Sequence, residues 1–113
     1  ISSSRASLDD VGAAVGTVHA AAEQAGKAPG AVRCVVRGVT VLQEAPIDGA
    51  DRRPLSGSLD QIRDDLGVYA AAGVDEVFLD LNFDSERVGR PSADPAVGMG
   101  LATQLLPLGA ETF

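Results

Sequence analysis

Residues 57–83 read GSLDQIRDDLGVYAAAGVDEVFLDLNF, and they contain a helix and a strand with little ambiguity. Ser58 followed by Gln61 is an S-x-x-Q capping box, in which the serine hydroxyl and the glutamine side chain satisfy orphan N–H groups of the first turn. Leu59, Ile62, Leu66 and Tyr69 recur at helical spacing as a buried stripe, while Asp60, Arg63, Asp64 and Asp65 are expected to face water. Gly73 stops the helix, and Glu76 to Phe83 follows as a short strand. Its alternation places Val77, Leu79, Leu81 and Phe83 on one face, with Phe78, Asp80 and Asn82 on the other. This is one αβ step of a parallel α/β protein.

Working outward, Ser7 with Leu8-Asp9-Asp10 starts an earlier helix, having an N-cap hydroxyl and acids in its first turn. Leu8, Val11, Val15, Val18, Ala22 and Ala25 form a thin apolar stripe suited to packing on a flat sheet, and Gly26 ends it. Ala31 to Leu42 (AVRCVVRGVTVL) is a near-continuous β-branched run, as expected of a parallel strand covered on both faces, with Gly38 marking a bulge or a close approach. Gln43 to Gly57 reads as a long loop carrying Arg52 and Arg53, and Ser85 to Ala93 as another. Asp94-Pro95 opens a last helix with Val97, Leu101, Ala102, Leu105 and Leu108 on its stripe, limited by Pro107 and Gly109.

The order is helix, strand, helix, strand, helix, within one segment covering residues 1–113. A strand–helix–strand crossover makes its two strands parallel. Two strands leave sheet edges bare, so the missing neighbours are expected from further sequence or from another chain. The chain opens at Ile1 with no methionine and no basic, apolar leader, which fits a processed or truncated chain without a signal peptide.

A net charge of −7 argues against nucleic-acid and anionic-membrane partners, because phosphates would be repelled. No apolar stretch approaches the ~20 residues a membrane span needs, and a cytoplasmic location is expected. Cys34 is the single cysteine, lies in an apolar run, and reads as a small buried hydrophobe. His19, one residue off its helix's stripe, reads as a solvated or boundary residue. No metal-ligand spacing, nucleophile elbow, Walker-type loop or G-x-G-x-x-G is present.

Chemistry in such folds gathers at the carboxyl ends of the strands. Ser2-Ser3-Ser4-Arg5, ahead of a helix, suits an anion such as phosphate, although a polar loop capping a helix is the simpler reading. Arg52 and Arg53 could reach a substrate anion, but paired arginines in a loop are more simply solvated. Asp80 needs a partner inside a buried strand, and Arg37 is expected to pair with it, an ion pair fixing strand register rather than a catalytic group.

The strings ISSSRASL, VRCVVRGVTVL, RRPLSGSLDQIRDDL and AAGVDEVFLDLNFD, in this order over nearly the whole chain, resemble the C-terminal third of luciferase-like flavin- or deazaflavin-dependent oxidoreductases. The likeness is greatest to the members that use the deazaflavin coenzyme F-420. The resemblance implies the last βα units of a (β/α)8 TIM barrel, with hydride transfer or monooxygenation as the reaction. It implies coenzyme F-420 or FMN, held mainly by earlier strands that are absent here, together with a small organic substrate and a homodimer as a further arrangement. The catalytic residues would lie on those earlier strands, so none is assigned. Ser2, Ser3, Arg5, Asn82 and Asp84 are the positions that match loops near the cofactor, and the segment alone is expected to be inactive. Two other readings stay open: a non-catalytic α/β module that completes its sheet by self-association, and the end of a different TIM barrel.

Overall fold

The computed structural model describes residues 6–113. Three helices, α1 (Leu8–Gln24), α2 (Leu59–Ala71) and α3 (Pro95–Thr112), accompany four short strands, β1 (Val35–Val39), β2 (Val41–Leu42), β3 (Ser56–Gly57) and β4 (Glu76–Asp80). β1 and β4 pair in parallel, with Val36 opposite Val77 and Gly38 opposite Leu79. The α/β class and the parallel strand–helix–strand unit are thus those expected. No helix among the described residues is long and apolar enough to cross a membrane.

Each helix begins at its anticipated cap. Ser7 Oγ accepts from the Asp10 N–H, and Asp10 returns the bond to the Ser7 N–H. Ser58 Oγ accepts from the Gln61 N–H at 3.3 Å, while Gln61 Oε1 accepts from the Ser58 N–H at 3.1 Å. Asp94 caps α3, with Pro95 at the first helical position. Ser58→Ala should lower stability by about 1 kcal/mol, read as a shift in urea midpoint at constant slope.

The anticipated strand over Ala31–Leu42 is shorter and divided. It starts at Val35 and breaks at Thr40, whose N–H still reaches the Asp80 carbonyl at 2.8 Å and whose hydroxyl donates to the Gly38 carbonyl at 3.0 Å. Beyond that point the chain exchanges neighbours. Val41 and Leu42 pair in parallel with Ser56 and Gly57, residues that read as loop in the sequence. Gly38 is where a close approach is needed, because a Cβ there would lie 2.1 Å from Leu55 Cδ1. Leu55 is fully buried and holds a left-handed backbone, φ 63°.

The strand expected to reach Phe83 ends at Asp80 instead. The following turn re-aims Phe83, whose ring lies 5.6 Å from the Arg37 guanidinium carbon rather than beside Leu81 under the helices. The last helix also departs from expectation by running through Pro107 to Thr112. Leu108 is buried just beyond the proline, and the helix continues with bonds from Thr112 Oγ1 to the Leu108 carbonyl and from the Phe113 N–H to the Gly109 carbonyl.

The core lies between the helices and one sheet face. Val11 and Val15 of α1, Ile62, Leu66 and Tyr69 of α2, and Leu101, Leu105 and Leu108 of α3 bury with Val36, Leu42 and Leu55. α2 touches both α1 and α3. The opposite face of the β1–β4 pair is open: Val35 is 42% exposed and Phe78 56%.

Candidate functional site

The carboxyl ends of the strands gather three segments. The chain after β2 supplies Gln43 and Glu44, the turn after β4 supplies Asn82, Asp84 and Arg87, and the start of α2 supplies Ser58 and Asp60. A cavity of about 380 Å³ opens between them, walled also by Leu101 and Gln104 of α3. Its charged lining is one base, Arg87, and two acids, Glu44 and Asp60. It could take a small polar molecule, but among the described residues no nucleophile–base pair lines it.

Of the residues expected near a cofactor, Ser2, Ser3 and Arg5 lie outside the described residues. Asn82 is exposed beside the end of β4, its N–H donating to Asp80 Oδ1 at 3.0 Å. Asp84 is buried and already engaged. Its Oδ2 accepts from Arg87 Nε at 2.7 Å and its Oδ1 from the Arg87 N–H at 3.2 Å, while the second arm of that guanidinium donates to the Leu42 carbonyl. Asp84 therefore ties the turn after β4 to β2, and Arg87 is the group that reaches the cavity. Sequence reasoning missed Arg87. The i,i+3 spacing from Asp84 was its one signal.

Gly89 closes the same turn so tightly that a Cβ would fall 1.6 Å from the Asn82 carbonyl oxygen. That oxygen belongs to the backbone and cannot swing aside.

Arg37 and Asp80 pair as expected, across the β1–β4 ladder on the open sheet face. Arg37 Nε donates to Asp80 Oδ2 at 2.9 Å, and its Nη2 makes a second bond to the same oxygen. Asp80 is buried, yet its carboxyl is held below the usual carboxylate range. The Asn82 backbone N–H is the largest cause, burial opposes it, and the hydrogen bond and charge of Arg37 add to it. The depressed value gives a stabilisation that is complete above the unfolded carboxyl value of about 3.9 and fades as pH falls through the folded one. Urea unfolding between pH 7 and pH 3 should show this acid-side loss, and Asp80→Asn should flatten it.

Of the two loop arginines, Arg53 is exposed as expected, whereas Arg52 is not simply solvated. Arg52 forms a two-pronged bond to Asp65, Nη1 to Oδ2 and Nη2 to Oδ1, both at 2.8 Å. Asp65 was expected to face water and is buried instead, because Arg52 and the Leu55 N–H, at 2.7 Å, reach it from the loop. Arg52 is committed to structure and not to a substrate.

At the amino ends of β1 and β4 a second group assembles. Cys34 precedes β1, Asp75 precedes β4, and His19 comes from the last turns of α1. Cys34 Sγ lies 3.6 Å from His19 Nε2, and Asp75 Oδ2 accepts from the Cys34 N–H at 2.7 Å. One ligand atom from each of the three residues falls within 4.8 Å of the others. Cys34 is buried and His19 exposed, both as expected, but His19 also has a specific neighbour that its place in the sequence did not reveal.

Comparison with protein-family models, with curated proteins and with solved structures finds no match to this chain.

Proposed function

We propose that this chain is the C-terminal portion of a luciferase-like (β/α)8 oxidoreductase that transfers a hydride, or inserts oxygen, with coenzyme F-420 or FMN. The observation that supports this reading best is the β1–β4 pair itself. It is a parallel strand–helix–strand unit whose outer face carries Val35, Phe78 and Phe83 in the open. Parallel sheets are normally covered on both faces. Within a barrel that face would turn inward, and further strands would pair with the outer edges of β1 and β4. Asn82, Arg87 and the loop after β2 would then border the mouth of the barrel, where such enzymes hold cofactor and substrate.

In this proposal the present residues shape the mouth, and the reacting groups belong to earlier strands. When bound, the cofactor would supply the redox chemistry. Arg87, its charge matched by Asp84, offers the mouth its remaining N–H donors, and Asn82 offers an amide.

The coding sequence upstream of Ile1 tests the reading. An additional ~170 to 200 residues with alternating strand and helix patterns would fit a barrel of ordinary length. The isolated 113-residue chain should be catalytically silent and bind F-420 or FMN poorly in fluorescence titration. Tight binding by this chain alone would contradict the proposed location of the site. A well-ordered dimer of the isolated chain in sedimentation would instead favour a module that completes its sheet by self-association.

A further inference from the structure

We propose that His19, Cys34 and Asp75 form a site for a divalent transition metal, with zinc as the best-fitting ion. This inference does not depend on the oxidoreductase reading, since the trio lies at the opposite ends of the strands.

The donor set is a thiol, an imidazole and a carboxylate, the three side-chain types that zinc accepts. Tetrahedral zinc with a sulfur at about 2.3 Å and a nitrogen at about 2.0 Å places those two ligand atoms about 3.5 Å apart. Cys34 Sγ and His19 Nε2 stand 3.6 Å apart. The full set lies within 4.8 Å, so modest side-chain rotation of the carboxylate completes the cluster. Asp75 already uses Oδ2 to fix the Cys34 backbone, which leaves Oδ1 for an ion and makes the same carboxylate an anchor for the thiol ligand.

The backbone holds the three donors in place. Cys34 and Asp75 sit at the starts of neighbouring strands, joined by the bond from the Asp75 N–H to the Cys34 carbonyl at 2.9 Å. The His19 ring stands over Gly73, where a Cβ would lie 3.6 Å from its Cε1. A cavity of about 410 Å³ lined by His19 and Asp75 opens beside them, giving an ion its entry and a water its place as fourth ligand. Glu23 and Lys27 share that wall with opposite charges.

A thiol-based nucleophile is the competing use of a cysteine beside a histidine. It fits less well, because Cys34 is buried and Asp75 bonds to the Cys34 backbone instead of orienting the imidazole. Metal binding needs only the loss of the thiol proton to solvent as the ion enters.

Cobalt(II) substitution tests the site on the full chain. Cobalt added to the folded protein should give a thiolate-to-cobalt charge-transfer band and intense tetrahedral visible bands, both displaced by one equivalent of zinc. Cys34→Ala should abolish the charge-transfer band. His19→Gln replaces an exposed ring and should leave the circular dichroism unchanged while weakening zinc binding at least tenfold. Absence of the band in the folded wild-type chain would overturn the proposal. So would zinc affinity unchanged in His19→Gln, which would place any bound metal elsewhere.

Discussion

Arg52→Ala should destabilise the protein by about 3 kcal/mol, among the largest losses available from a single loop residue. The substitution leaves the Asp65 carboxylate, 2% exposed, with the Leu55 N–H as its remaining partner of those three bonds. Removing one partner of a buried pair costs roughly 3–5 kcal/mol, because the other charge stays desolvated and unmatched. The lower end applies because the Arg52 side chain keeps 21% of its surface in water, so part of its interaction is already screened. Arg52→Lys should recover only part of the loss, since an ammonium cannot present the two parallel N–H groups that meet both carboxylate oxygens. Adding Asp65→Asn to Arg52→Ala should also restore some stability, by removing the orphaned charge. Urea unfolding of the four proteins reads all of this. A loss under about 0.5 kcal/mol for Arg52→Ala would mean that water replaces the guanidinium at no cost.

Tyr69→Ala should cost about 3–5 kcal/mol, the range for deleting a fully buried aromatic ring. Tyr69 is fully buried and is the largest such side chain among the described residues. It rides on α2, the helix in contact with both α1 and α3, so the void would lie where the helical layer is joined. Tyr69→Leu keeps much of the apolar volume and should lose distinctly less. If the two substitutions cost the same in calorimetry or urea, the ring's volume is not what holds the layer together.

What the sequence made legible was local. Caps at Ser7, Ser58 and Asp94 depend on residues within three positions of one another, and all three form. The Arg37–Asp80 pair was readable because an acid in an apolar strand demands a cation and its neighbour strand carried one. Asp65 was misread for the converse reason. Helical periodicity placed it near the solvent side, and only a loop folding back with Arg52 could bury it. The division of the first strand at Thr40 has the same origin, since its new partner, Ser56–Gly57, carries no strand pattern of its own. On the site side, Asn82, expected within the strand, lies with Asp84 in the turn beyond β4, at the anticipated carboxyl end. The bond of Arg87 to the Leu42 carbonyl spans 45 positions and left no trace in spacing. His19, Cys34 and Asp75 are separated by 15 and 41 positions, far from any ligand motif, and meet only because α1 ends beside the start of the sheet.

The segment between β2 and β3 is stitched at its base by the Val41 and Gln43 N–H groups, which donate to the Leu55 and Gly57 carbonyls. It is stitched again at Ile47, whose N–H and carbonyl both bond to the Gln61 side chain. Between those fastenings, Asp48 to Asp51 protrudes as an exposed tip with a glycine at φ 110°. A protease cut at this tip would sever the chain without undoing either seam, leaving two fragments that travel together until denatured. The same arrangement lets residues be added or lost at the tip across evolution with little effect on the sheet beneath.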